Sequence, residues 1–411
     1  MAHQKMTKQE KSWIVYDVGN SAFVLLSTAL IPVYFASMAT GRAVIMWGYA
    51  ETIASLIIAL LMPLLGSLAD LKHMKKKFLV GCVGTGAVAV CALGIPSGVF
   101  PFLVIYVIAA VMLNASMVFY DALLVDATTT ERYDEISSQG YAWGYIGSCV
   151  PFIICLIIVL GGGAFGIDAG LGMKIAFVIT AVWWVAFTIP VFKNVHQTHF
   201  KERTEHLFKD SLVGLWSTVK KIWADKSLRY FMLAFFFYID GVHTVIKLST
   251  SYGADLGIDA TQLVLALLVT QFVAFPSAII YGRLSSKYGT KRMLQVGVFA
   301  YFLITLFAAF FLKSAWQFWI LAIAVGMFQG GIQALSRSEF SKLIPKEHAN
   351  EYFGFFDIFG KYAAVMGTFM VSLITQITGF ANLGVLSLSI LFVVGFVLLK
   401  KVPNAISGEA A

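Results

Sequence analysis

Long apolar stretches alternate with short polar segments along the whole chain. About 20 apolar residues in a helix are enough to cross the hydrocarbon core of a bilayer. The pattern therefore predicts an all-α integral membrane protein with twelve transmembrane helices. They are expected near residues 13–38, 44–69, 78–96, 99–125, 138–160, 172–192, 228–252, 261–284, 293–312, 316–338, 350–377 and 381–399.

The composition supports this interpretation, since 59% of the residues are hydrophobic, 13% are charged and the mean hydropathy is +0.81. Ordinary soluble domains contain about 25% charged residues. The N-terminal residues are polar and run into Trp13 without an apolar core and a small-residue cleavage site. We therefore expect no removable signal peptide and no soluble globular fold.

The net charge of +8 is distributed unevenly. If the N-terminus is cytoplasmic, 25 of the 30 Lys and Arg residues fall in inner segments, three fall outside, and two lie within spans. Positive charge concentrates on the cytoplasmic side of membrane proteins. This bias predicts that both termini are cytoplasmic and gives no reason to expect a nucleic-acid partner.

The longest polar stretch, residues 193–227, separates six spans from six. The predicted domains are a six-helix bundle at 1–192, a cytoplasmic linker at 193–227 and a second bundle at 228–411. Apolar residues recur in the linker among Lys220, Lys221 and Lys226 at helical spacing: Leu207, Leu212, Leu215, Trp216, Val219 and Trp223. This pattern predicts an amphipathic helix on the inner leaflet. The alternative is an ordinary linker helix.

The sequence contains no recognisable catalytic or metal-binding motif. The four cysteines lie in apolar spans without metal-ligand spacing, which indicates small core residues. The linker histidines His196, His199 and His206 are scattered among charged residues, where a solvated role is expected. No nucleotide-binding or zinc-protease motif is present. We expect no enzyme activity, cofactor or metal.

Charged residues interrupt two of the predicted spans. Asp240, His243 and Lys247 share a helix face in one, and Asp357 and Lys361 share a face in another. A charge at the centre of a lipid-exposed helix costs about 2.5–3.5 kcal/mol, so these residues are expected to face a cavity and to serve function.

Each charged group also has a structural alternative. Asp240 near mid-membrane must be paired or protonated, which suits proton coupling. His243 could relay protons or only bond to a neighbouring helix. Lys247 could hold a substrate carboxylate or neutralise an acid. Asp357 and Lys361 could simply pair at i, i+4.

Polar residues follow a helical stripe in span one as they do in span seven. Asp17, Asn20 and Ser21 repeat the Asp-x-x-polar-Ser/Thr pattern that begins at Asp240, at a shift of 223 residues. Spans one and seven occupy equivalent places in two halves of six helices. We therefore expect both stripes to face a central cavity. Alternatively, Asp17 is an interfacial carboxylate near the inner headgroups.

A second repeat appears at a shift of 216 residues. It aligns Gly66–Asp70 with Gly282–Ser286, and each copy ends the second span of its half and precedes basic residues. This predicts two pseudo-symmetric bundles that arose by parallel duplication. The same shift aligns Asp121 with Arg337, which we interpret as a gate pair. Interfacial charges or a local contact of Arg337 to Glu339 or to a phospholipid are the alternatives.

The repeated segments resemble the signature loop of the major facilitator superfamily. The first copy has Leu71 where a basic residue is usual and His73 where Gly is usual, and the second has Ser286 where Asp is usual. In that superfamily the loop links neighbouring helices and stabilises the outward-open state. The resemblance implies a gating role for the first copy, through Asp70, Lys75 and Lys76.

Further motifs resemble a narrower family, the unknown-major-facilitator family that includes the autophagy-related vacuole effluxer-like proteins. They are Tyr16–Phe23, Tyr238–Thr244, Gly330–Ser338 with Gln333, and Phe353–Lys361. The chain departs from the family pattern at Val18 and Gly19, where Trp-Ala is usual, and at His243, where Asn is frequent. The fungal relatives imply amino-acid efflux.

Together these features predict a monomeric secondary transporter that moves a small organic solute by alternating access. Proton coupling is the expected mechanism, and amino acids or peptides are the expected cargo, exported across a prokaryotic plasma membrane. The partners are therefore the solute, protons and the lipid bilayer. The alternatives are an exporter of amphiphilic drugs or lipids and a non-transporting membrane sensor.

Overall fold

The structure is a computed structural model that describes residues 5–39, 43–202, 207–255 and 257–403. α-Helices form most of this described part, and they are joined by short turns and 3-10 segments. The helices are α1 (Lys8–Ala29), α2 (Ile31–Met38), α3 (Ala43–Ala69), α4 (Lys75–Ala92), α5 (Val99–Ala122), α6 (Leu124–Ala127), α7 (Tyr133–Gly161), α8 (Ala169–Asn194), α9 (Leu207–Ala224), α10 (Lys226–Asp255), α11 (Ala260–Tyr288), α12 (Thr290–Phe310), α13 (Ala315–Leu343), α14 (Ala349–Thr378) and α15 (Ala381–Lys401).

Eleven helical segments of the described chain are long and apolar enough to cross a membrane. The predicted all-helical architecture is therefore confirmed, with helix bounds within a few residues of those expected. The remaining predicted span, near 78–96, corresponds to α4, whose 18 residues begin with three lysines. Twelve membrane crossings and cytoplasmic termini stay predictions.

The first helix begins at a capping box. The Thr7 hydroxyl accepts from the Glu10 backbone N–H at 3.1 Å, and the Glu10 carboxylate accepts from the Thr7 N–H at 2.7 Å. These bonds satisfy two backbone donors that a helix start leaves free. The helix ends at Ala29, and α2 follows with Pro32 in its first turn, where a missing N–H removes no helical bond.

The described residues form two units. The first takes its residues from 1–132, 139–212 and 345–355, and the second from 133–138, 213–344 and 356–411. In the first unit, α1 packs on α8, α3 on α5, and α4 on both α5 and α8. In the second, α10 packs on α15, α11 on α13, and α12 on both α13 and α15. The helix pairing of one unit is thus repeated in the other.

The linker helix α9 begins at Leu207. Among its described side chains, Trp216 and Trp223 are 64% and 46% exposed, whereas Ile222 is buried. The side chains of Leu207 and Leu212, and all of His206, lie outside the described residues. The position of this helix on a leaflet remains a prediction.

Small residues let neighbouring helices approach closely within each unit. In the first unit, a Cβ on Gly147 of α7 would lie 2.5 Å from the Val18 side chain of α1. In the second, a Cβ on Gly241 of α10 would lie 2.5 Å from the Phe392 ring of α15. Such contacts replace the hydrophobic driving force that is absent between helices in lipid.

Replacing Gly147 with Ala should destabilise the protein by about 1–3 kcal/mol, because α1 and α7 must separate to admit the methyl group. Thermal unfolding in detergent measures this change. Gly48→Ala is the matched control, since Gly48 of α3 has no heavy atom within 4 Å of an added Cβ. Equal unfolding temperatures for the two variants would contradict close packing at Gly147.

Candidate functional site

Asp17 lies inside the first unit and is only 5% exposed. Its carboxylate accepts hydrogen bonds from the Tyr120 hydroxyl at 2.8 Å and from the Asn20 side chain at 3.3 Å. Trp13 stacks on Tyr120 with ring centroids 4.4 Å apart and donates to the Tyr120 carbonyl at 3.0 Å. The carboxylate is therefore held by a buried aromatic network between α1 and α5.

Asp240 is fully buried in the second unit. Its Oδ1 accepts from the Gly367 backbone N–H at 2.9 Å and from the Thr244 hydroxyl at 3.2 Å. Its Oδ2 has no hydrogen-bond partner among the described residues. Residue 367 must be small, because a Cβ there would collide with both the Asp240 carboxylate and the Thr244 hydroxyl.

The surroundings of the two acids repeat in part. The Tyr16 hydroxyl donates to the Ser116 hydroxyl at 2.8 Å, and Tyr238 and Ser336 form the corresponding bond at 2.7 Å. The first pair joins α1 to α5, which carries the gate candidate Asp121. The second pair joins α10 to α13, which carries Arg337. The repeat in helix pairing thus extends to one side-chain contact, whereas duplication itself stays a prediction.

The other intramembrane candidates are less buried than Asp240. Lys361 forms an i, i+4 ion pair with Asp357, and their side chains are 21% and 23% exposed. His243 and Gln333 are half-buried, and Lys247 is exposed. The local Asp357–Lys361 pair, foreseen as the structural alternative, is therefore present.

A cavity of about 820 Å³, which includes the space at its open side, lies within the second unit. Its wall comes from α10, α11, α12, α13 and α15 and is mostly apolar. The described residues that line it include no charged side chain. Thr244 connects the cavity to Asp240, and Gln271 and Gln329 bring carboxamides to its wall. The Gln271 Oε1 atom has no partner within the described chain.

Asp70 lies directly after α3 and contacts the start of α14. Its carboxylate accepts from the Asn350 N–H at 2.9 Å, the Asn350 side chain at 2.8 Å and the Glu351 N–H at 3.0 Å. A carboxylate at a helix N-terminus also interacts favourably with the helix dipole. Burial raises the pKa of Asp70, whereas Lys75, Lys201 and the bonds from Asn350 oppose that rise.

The two lysines that were predicted to act in gating, Lys75 and Lys76, contact other partners. Lys75 is fully buried and pairs with Asp126 at 2.8 Å, while Lys76 donates to the Phe192 carbonyl at 2.9 Å. Asp126 also accepts from the Thr198 and His199 backbone N–H groups, each at 2.8 Å, and lies 3.1 Å from His199 Nδ1. Sequence reasoning missed Asp126 and assigned His199 to solvent.

The second copy of the 216-residue repeat, Gly282–Ser286, also packs its glycine against a neighbouring helix, but the side chains around it differ. A Cβ on Gly66 would meet the Asn350 carbonyl, and one on Gly282 would meet the Ser138 side chain. Each glycine thus lets the start of a neighbouring helix approach closely. Sequence reasoning did not single out Ser138.

Near this second copy, the polar contacts centre on Asp134 at the start of α7. Asp134 accepts from Thr290 at 2.6 Å and Lys342 at 2.7 Å, and also from Ser338. Neither Asp134 nor Lys342 was singled out from the sequence, although Lys342 lies 216 residues after Asp126.

The gate candidates lie in different units. Arg337 is 2% exposed and donates to the Ser137 hydroxyl at 2.9 Å and to the Ser137 carbonyl at 3.0 Å. Asp121 is half-buried near the end of α5. Their pairing across a closing gate stays a prediction.

Comparisons with known proteins decide the family. Residues 45–409 match the family model described as "Vacuole effluxer Atg22 like". The chain belongs to this family of the major facilitator superfamily. It is 42% identical to the MFS-type transporter YxiO of Bacillus subtilis over 99% of this chain and 98% of that protein. The resemblance inferred from the motifs is therefore confirmed.

Fungal members are more distant. Autophagy-related protein 22 of Cryptococcus neoformans is 27% identical over 67% of this chain, and that of Saccharomyces cerevisiae S288c is 23% identical over 63%. The matches cover 53% and 54% of those proteins, so the chain aligns with about half the length of each.

Solved structures agree on the fold. The human organic anion transporter MFSD10 superposes with a TM-score of 0.76 at 14% identity, covering 95% of this chain and 99% of that one. FucP in the outward conformation gives a TM-score of 0.72 at 13% identity, with coverages of 96% and 98%. These structures show the major facilitator fold. Because the family model describes effluxers and the 42%-identical bacterial relative is an MFS-type transporter, the protein is a multi-pass membrane transporter and not an enzyme.

Replacing Asp126 with Asn should destabilise the protein by about 3–5 kcal/mol, because Lys75 would remain buried without its counter-charge. Thermal unfolding in detergent measures the loss. Adding Lys75→Met should recover part of it. The control is Asp168→Asn at the exposed start of α8, where Asn caps about as well as Asp. An Asp126→Asn protein as stable as this control would show that the buried pair contributes nothing.

Proposed function

We propose that this transporter couples the movement of a small organic solute to protons, with Asp240 as the coupling group. The observation that carries the proposal is the Asp240 carboxyl, which is fully buried and has one oxygen without a partner in the described chain. A buried carboxylate requires partners or a proton. Gly367 and Thr244 donate hydrogen bonds only to Oδ1, so we assign Oδ2 as the atom that takes the proton.

The position of Asp240 links proton binding to solute binding. Thr244 donates to Asp240 Oδ1 and also lines the cavity of the second unit. Protonation of Oδ2 turns Oδ1 from a carboxylate oxygen into a neutral carbonyl oxygen, which is a weaker acceptor. The bond from Thr244 then weakens, and its hydroxyl can turn toward a bound solute. Occupancy of the cavity and the charge of Asp240 are thereby coupled through one hydrogen bond.

The remaining candidates have roles in the same cycle. Asp17 and Asn20 form the corresponding polar group of the first half. Lys247, Lys361 and Asp357 provide both signs of charge for a zwitterionic solute, and His243 and Gln333 provide hydrogen-bonding groups. Asp70, Lys75 and Lys76, with the gate pair Asp121 and Arg337, hold the cytoplasmic side closed. Twelve helices with cytoplasmic termini would rock as two bundles in a monomer.

Amino acids or short peptides are the proposed cargo, and export across a prokaryotic plasma membrane is the proposed direction. The support is the family description as vacuole effluxers and the bacterial relative that shares 42% identity. The intramembrane charges fit a zwitterion, because Lys361 and Lys247 attract a carboxylate and Asp357 attracts an amine.

Asp240→Asn should abolish proton-driven flux. Asn keeps an oxygen for the Gly367 N–H but cannot change its charge between the two sides of the membrane. Proteoliposomes with an imposed pH gradient and a library of amino acids and short peptides measure driven flux. Substrate exchange without a gradient should persist, and Asp168→Asn is the matched control. Undiminished driven flux in Asp240→Asn would refute the coupling role.

A second function, export of neutral or weakly charged amphiphiles, is favoured by the cavity of the second unit. Its wall is mostly apolar, and its polar contributions are hydroxyls and the carboxamides of Gln271 and Gln329. A solute with an apolar body and one hydrogen-bonding group fits such a wall.

The liposome system separates the two cargo classes. Efflux of a lipophilic dye that amphiphiles inhibit and amino acids do not would select amphiphile export. In that case Gln329→Leu should weaken the inhibition, because it removes a hydrogen-bonding group from the cavity wall. Amino-acid or peptide flux that the dye leaves unchanged would exclude amphiphile export.

A further inference from the structure

The segment that follows α8 lies along the signature loop instead of extending away from it. Lys201 and Leu71 form a parallel β-bridge, and the Lys201 N–H donates to the Asp70 carbonyl at 2.8 Å. The Gln197 side chain donates to the Leu71 carbonyl at 3.1 Å. The linker backbone is thus fixed to the backbone of the loop at the residue where the usual basic side chain is missing.

A second anchor, the Asp126 carboxylate, holds the same segment. The Asp126 carboxylate, which pairs with Lys75, accepts from both the N–H and the hydroxyl of Thr198 at 2.8 Å and from the His199 N–H at 2.8 Å. Three donors from two adjacent linker residues converge on one buried oxygen. Such charge-assisted bonds are stronger than bonds between neutral groups.

These anchors direct the Lys201 ammonium toward the start of α14. Lys201 Nζ donates to the Glu351 carboxylate and lies 3.3 Å from the Ser67 hydroxyl. Glu351 is 1% exposed, and its backbone N–H is one of the donors to Asp70. Two buried acids, Asp70 and Glu351, therefore lie close together at the first turn of α14. The Lys201 ammonium binds Glu351.

We propose that Lys201 supplies from the linker the cation that the signature loop lacks at Leu71. Lys201 is a positioning residue. By neutralising Glu351, Lys201 stabilises the hydrogen bonds between the first turn of α14 and the Asp70 carboxylate. It thereby favours the state in which the cytoplasmic side is closed. The linker is then a working part of the gate as well as a connection between two bundles.

The physical need for this cation follows from burial. An acid that is 1% exposed and lacks a counter-charge is strongly destabilising, and the nearby Asp70 carboxylate would add repulsion. His348 Nδ1 lies 3.7 Å from the Glu351 carboxylate but is itself 36% exposed. Lys201, at 21% exposure and in direct contact, is the better placed partner.

This inference depends on the alternating access proposed above, and a spin-label distance measurement can separate the two. A variant without native cysteines carries labels at Lys77 and Lys287, which are exposed and belong to different units. Pulsed electron resonance in nanodiscs gives the populations with short and long label separation. No substrate is needed for this measurement.

Lys201→Met should raise the long-distance population about tenfold relative to the short one, the change that about 1.4 kcal/mol produces. Lys201→Arg should resemble the parent. The decisive variant is Leu71→Lys combined with Lys201→Met, which moves the cation back to the loop and should restore the parent distribution. Lys193→Met, which removes an exposed charge near the end of α8, is the matched control.

Each result has a defined consequence. An unchanged distribution in Lys201→Met, or a failure of Leu71→Lys to restore it, would overturn the role of Lys201 while two distance populations in the parent would still support alternating access. A single distance that no variant shifts would refute alternating access itself. If Lys201→Met does not fold, Leu71→Lys must rescue folding, and absence of that rescue would also overturn the inference.

Discussion

The need to satisfy every charge within the protein, because lipid offers no hydrogen bonds, is the constraint on which the other features depend. Lys75 and Asp126 form a buried pair, and a backbone N–H from α14 reaches Asp240 where Gly367 leaves room. These contacts fix how neighbouring helices meet within each unit. Asp240 is an exception, because its Oδ2 atom has no hydrogen-bond partner in the described chain.

The two units share a common framework but differ in their chemistry. The helix pairing repeats, and so does a Tyr–Ser bond, which joins α1 to α5 in one unit and α10 to α13 in the other. At the 216-residue shift, however, Asp126 in one unit corresponds to Lys342 in the other. Asp126 therefore attracts linker donors and Lys75, whereas Lys342 pairs with Asp134.

Hydropathy predicted nearly all helices, because burial in lipid imposes a long apolar run that a single sequence displays. The Asp357–Lys361 pair was also foreseeable, since both residues lie one turn apart on one helix. The contacts of Asp126, His199 and Lys201 were not. Their partners lie 51 to 150 residues away. The short linker stretch at 195–202 shows no periodicity from which its docking could be inferred. The missing basic residue at Leu71 was visible, but its substitute was not.

The central claim is that the Asp240 carboxyl exchanges a proton within the membrane, and infrared difference spectroscopy tests it most directly. Spectra of the reconstituted protein at neutral and alkaline pH are compared with those of Asp240→Asn. The carbonyl stretch of a protonated carboxylic acid should decrease in the parent as pH rises, and this change should be absent in the variant. Identical difference spectra for the two proteins would contradict the claim.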